Sequence, residues 1–119
     1  MTQPDRQNAL PLSKELKEKF KREFTPSEKL FFLKRAEEAI AVKGYPADED
    51  LFHYCFFLTM KERLSGIRLQ SSEGYARFFL VEAKRDTEEE INIYKERLES
   101  KKRDIPDMMG YKFIEFFAD

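Results

Sequence analysis

The chain predicts an all-α fold, a compact bundle of about five helices followed by a short aromatic C-terminal segment, and three observations carry that reading. Apolar side chains recur at three- and four-residue spacing through most of the 119 residues. Helix-start and helix-stop signals punctuate that pattern at suitable intervals. Twelve Phe and five Tyr, with no Trp, supply enough ring area to build most of a core for a domain this small.

The elements follow in order. Met1 to Pro11 mixes Gln, Pro, Asn and Asp with few large side chains, so it reads as a flexible arm, with a single helical domain over 12–119. From Leu12, the residues Leu12, Leu16, Phe20 and Phe24 repeat every fourth position among Lys, Arg and Glu, giving a helix that buries one narrow edge. Thr25, Pro26 and Glu28 form the sharpest start signal: a hydroxyl cap, proline at the first helical position, and a glutamate placed to close a capping box. That second helix carries Leu33, Ala36 and Ile40 on one face and is expected to stop at Gly44, with Pro46 blocking continuation.

A third helix is expected over Glu49 to Leu64, with Asp48, Glu49 and Asp50 placing negative charge at its positive dipole end. Leu51, Phe52, Tyr54, Cys55, Phe56, Phe57, Leu58 and Met60 leave it almost no polar face, which predicts the centre of the fold. After Gly66, residues 67–82 admit two readings. A hairpin through Ser71-Ser72-Glu73-Gly74 would make the fold α+β, but strict alternation fails, whereas Ala76, Phe79, Leu80 and Ala83 share one helical face. Helix is the favoured reading. Thr87 with Glu90 predicts a second capping box and a fifth helix, acidic at Glu88 to Glu90 and basic at Lys101 to Arg103, with a thin stripe of Ile91, Tyr94 and Leu98. Beyond Pro106, the tail holds Met108, Met109, Tyr111, Phe113, Ile114, Phe116 and Phe117, apolar enough to dock on its own core or on a partner. Phe-Phe-Leu occurs at Phe31, Phe56 and Phe78, at spacings too uneven for a true repeat.

Composition narrows the function classes. Basic and acidic side chains number 22 and 23, so no overall positive field draws the chain to a phosphate backbone. A single cysteine, Cys55, allows neither an intrachain disulfide nor a four-thiolate zinc site, and a reducing compartment fits. No apolar run approaches the ~20 residues that span a bilayer, and the N-terminal stretch lacks a signal core; the expectation is a cytoplasmic protein without membrane insertion.

No catalytic, cofactor or metal motif emerges. His53 and Cys55 stand two apart on a helix and cannot face each other, so a histidine-activated thiol is not expected. The acidic runs at Asp48 to Asp50 and Glu88 to Glu90 are explained by helix N-termini and match no metal-loop spacing. Basic groups at Lys14 to Arg22 and Lys95 to Arg103 are interleaved with glutamates at ion-pairing intervals. The favoured function is a non-catalytic protein-protein interaction module, a small adaptor, regulator or accessory subunit that meets its partner protein through Phe31, Tyr111, Phe113, Phe116 and Phe117. The alternatives are a nucleic-acid-associated helical protein using its basic faces, and a small enzyme whose site assembles in space from His53, Arg63, Arg68, Tyr75 and Arg77.

Overall fold

The computed structural model describes residues 14–69 and 74–103. The expected N-terminal arm, the start of the first helix at Leu12 and the aromatic tail lie outside the described residues. Four helices make up the fold among those described: α1 (Lys14–Glu23), α2 (Pro26–Ala41), α3 (Glu49–Ser65) and α4 (Gly74–Glu99).

The strongest start signal is used as read. Thr25 caps α2 with its hydroxyl accepting from the Glu28 N–H at 3.2 Å, while the Glu28 carboxylate accepts from the Thr25 N–H at 3.0 Å. With Pro26 at the first helical position, the chain can begin a helix here but cannot continue one from α1. α2 ends short of Gly44, which takes φ +74 and lets the chain turn back so that the Tyr45 N–H donates to the Ala39 carbonyl at 3.0 Å. Asp48 then caps α3, accepting from the Leu51 N–H at 3.1 Å, and Gly66 closes that helix.

α3 is the central element, packed against α2 on one side and α4 on the other. Phe20 and Phe24 of the α1 end, Phe32 of α2, and Phe52 and Phe56 of α3 form one ring cluster, with centroids 4.5 Å apart for Phe20 and Phe32 and 5.0 Å for Phe24 and Phe56. Leu51, Cys55 and Thr59 lie fully buried beside it. The Thr59 hydroxyl donates to the Cys55 carbonyl at 2.8 Å, so its polar atom is satisfied within its own helix.

One expectation is met and another corrected. Residues 74–82 are helical, as the favoured reading has it, and the alternative hairpin fails for that stretch. The fifth helix does not exist as a separate element, because α4 runs unbroken through Thr87 for 26 residues. Lys84, Arg85 and Asp86 contain no glycine or proline, so nothing stops the helical hydrogen bonds from propagating into Thr87. Thr87 is therefore a buried mid-helix residue, and Glu88 to Glu90 occupy a middle turn where no helix-end dipole accounts for them.

α3 and α4 are antiparallel. Asp50 meets Arg97 at 3.2 Å, His53 stacks on Tyr94 with centroids 5.0 Å apart, and Lys61 meets Glu88 at 2.9 Å. Carried to the end of α3, that register sets Ser65 beside the turn from Glu82 to Lys84. The first eight residues of α4, 74–81, thus run about 12 Å past the end of α3 at 1.5 Å per residue.

Candidate functional site: the aromatic overhang of α4

The overhang reads Gly74-Tyr75-Ala76-Arg77-Phe78-Phe79-Leu80-Val81. At 100° per residue its apolar side chains point in every direction, with Arg77 the one charged group. A helix that is apolar all round is ordinarily enclosed by others. Here it is not: Tyr75 is 85 % exposed, Phe78 56 %, Phe79 64 % and Val81 55 %. The side of α4 that meets the core is defined by Thr87, Ile91 and Leu98, and Leu80 and Ala83 continue it. Tyr75, Phe78 and Phe79 fall on the other side, so they would point away from the core even if α3 were longer.

At ~200 Å² for a fully exposed aromatic residue, these exposures leave about 400 Å² of ring surface in water, roughly 10 kcal/mol of transfer free energy as an upper bound at 25 cal/mol per Å². A shallow apolar depression of about 660 Å³ lies against Gly74, Tyr75, Phe78 and Phe79. Contiguous surface of this size and chemistry is what marks an interaction site on a small protein.

The other end of α4 is held from several directions. The Tyr45 hydroxyl, fully buried, donates to the Glu99 carboxylate. Burial first, and then the neighbouring Glu99 charge, push the Tyr45 phenol above its ordinary value, while the hydroxyl donor holds the Glu99 carboxyl below its own. Lys101 reaches Asp48 at 2.5 Å and Asp50 at 2.7 Å. Partial burial works to raise the Asp50 carboxyl, but hydrogen bonds from Lys101 and Arg97 outweigh it and leave it lowered. The Arg103 N–H donates to the Gly44 carbonyl at 2.9 Å, closing the clasp between the α2–α3 loop and the chain beyond α4.

Of the residues singled out from the sequence as partner contacts, Phe31 lies among the described ones. Phe31 is half-buried, with the Arg35 guanidinium 5.1 Å from its ring centre, so its own helix covers part of it. Tyr111, Phe113, Phe116 and Phe117 lie outside the described residues. Of the groups considered for a dispersed enzyme site, His53 is stacked on Tyr94 and bonded through Nδ1 to the Glu49 carbonyl at 2.9 Å. Arg63 is committed to Glu28 at 2.6 Å and to the Glu23 carbonyl. Tyr75 stands in the overhang. Cys55 is fully buried, and burial pushes its thiol well above the ordinary range, away from the thiolate that a nucleophile or metal ligand needs. Among the described residues no group of three or more His, Cys, Asp or Glu side chains is placed to hold a metal ion. No helix among them is long and apolar enough to cross a membrane.

The basic stretches fare differently from each other. Arg97, Lys101 and Lys102 are ion-paired with Asp50, Asp48 and Glu99, while Lys95 and Arg103 of the same stretch are exposed. Lys14, Lys19, Lys21 and Arg22 are exposed along α1, alternating with exposed Glu15, Glu18 and Glu23.

Sequence reasoning missed Tyr75, Phe78 and Phe79 as a surface, and groups Phe79 with Ala76, Leu80 and Ala83 on one apolar face. The available signal was the all-round apolarity of residues 75–81; the register that sets them beyond α3 is a long-range property. No protein-family model, no curated protein and no solved structure matches this chain.

Proposed function

We propose that this chain is a non-catalytic protein-protein interaction module, a small adaptor, regulator or accessory subunit, and that it docks through the overhanging first turns of α4. The single observation that carries the reading is the exposure of Tyr75, Phe78 and Phe79 on the side of α4 opposite its core contacts. Aromatic side chains supply most of the energy at protein interfaces, because each buries a large area at a small entropic cost. A rigid helix also presents them in fixed positions, which lowers the cost of ordering on binding. The ion pairs and buried thiol elsewhere support a scaffold role for the rest of the domain.

The test is native mass spectrometry of the chain isolated gently from its own cells, alongside the Phe78→Ala/Phe79→Ala variant. The reading expects a stoichiometric protein complex with the natural sequence and its loss in the variant, with unchanged far-ultraviolet circular dichroism. Bound nucleic acid or a small ligand, retained in the variant, would overturn it.

A further inference from the structure

We infer that the partner of the α4 overhang is a second copy of the same chain, the two overhangs packing antiparallel about a two-fold axis between Phe78 and Phe79. The inference rests on the interaction-module reading and names its occupant.

Three features of the overhang favour self-pairing. First, the surface is self-complementary in the way a two-fold contact requires, where residue i meets j and j meets i. With the axis between Phe78 and Phe79, Phe78 of each copy lies against Phe79 of the other, and Tyr75 lies beside Glu82. The tyrosine hydroxyl is then a donor facing a carboxylate that already holds Arg85, so the flanks of the contact are polar and satisfied. Second, no like charges meet. Arg77 projects to the side of α4 away from Tyr75, Phe78 and Phe79, and no other charged residue lies between 74 and 81.

Third, the area suits a weak pairing. Tyr75, Phe78 and Phe79 expose about 400 Å² per copy, so the contact can cover up to about 800 Å² for the pair, at the low end where transient pairings are found. An interface at that lower limit gives weak, reversible association, with half-dimerisation at about 10–100 µM. The overhang also projects past α3, so two copies can approach along it without collision between their α3 ends.

Sedimentation equilibrium of the full chain from about 5 to about 500 µM tests the proposal across that range. The expected result is a weight-average mass rising from one chain toward two. Phe78→Glu/Phe79→Glu, which places carboxylates at the axis, should hold the mass at one chain throughout, with circular dichroism unchanged. Tyr75→Phe, which removes only the hydroxyl, should weaken association about threefold to tenfold. A natural chain that stays monomeric to the top of the range overturns self-pairing; so does a dimer that survives both glutamates in a folded variant. Should the natural chain be monomeric while the same glutamates abolish its complex in native mass spectrometry, self-pairing fails and the interaction-module reading stands.

Discussion

The two ends of α4 belong to one helix and have opposite relations to the fold. From Thr87 to Leu98 the helix lies along α3, buries Thr87, Ile91 and Leu98, and is closed off by Tyr45, Asp48, Asp50 and Gly44. From Gly74 to Val81 it has no α3 beside it and carries its aromatics into water. Apolarity therefore does not separate core from surface in this protein, since the wet end is the more apolar of the two. What separates them is the side of α4 on which the rings stand, opposite Thr87, Ile91 and Leu98, together with the offset between two antiparallel helices of unequal length, 17 and 26 residues.

The largest effect that distinguishes the two ends should come from truncating one large side chain in each. Leu98→Ala removes a fully buried side chain from the clasped end and should cost about 2–5 kcal/mol. Phe79→Ala, in dilute solution, should stay within about 0.5 kcal/mol of the natural chain. Urea denaturation of both variants checks this, and comparable losses would mean that the overhang is part of the core.

A smaller effect tests the clasp. A methyl group on Gly44 would fall inside van der Waals contact with the Arg103 carbonyl oxygen, and the position has positive φ. Gly44→Ala should therefore destabilise by about 1–3 kcal/mol. Its amide exchange should rise first around Tyr45 and Glu99, where the clasp is made, and leave the overhang unaffected.

The smallest concerns the α2–α3 ion pair. Hydrogen bonds from Arg63 hold the Glu28 carboxyl down from its ordinary 4.5 to about 2. A carboxyl lowered on folding contributes stability above its unfolded value that is lost as pH falls through the folded one, so the contribution disappears between about 4.5 and about 2. Arg63→Met should cost about 1 kcal/mol near neutrality, with the difference from the natural chain closing toward pH 2. Thermal melts of both proteins across that window measure it.

Local chemistry made much of this fold readable, and the two capping boxes show where that stops. Thr25 and Thr87 each have a glutamate three residues on, yet only Thr25 starts a helix. Pro26 forbids continuation from α1, whereas Lys84 to Asp86 propagate a helix already under way. The capping side chain satisfies free backbone donors, and inside a running helix there are none to satisfy. The three Phe-Phe-Leu segments make the same point about packing. Phe32 and Phe56 are core rings, but Phe78 and Phe79 are outside, although the local sequence is identical. All-α class, the centrality of α3, the turn at Gly44 and the stop at Gly66 follow from nearby residues. The overhang depends on where α3 ends relative to α4, and neither helix encodes that alone.

Hydrogen–deuterium exchange along α4, measured at low and high protein concentration, tests the central claim most directly. The account predicts that amides of Ile91 to Leu98 exchange at the slow rate of global unfolding at both concentrations. Those of Ala76 to Leu80 should exchange far faster in dilute solution and slow as the chain becomes concentrated. Equal protection of both ends, unchanged by concentration, would contradict a division of α4 into a part that holds the fold and a part that is free to dock.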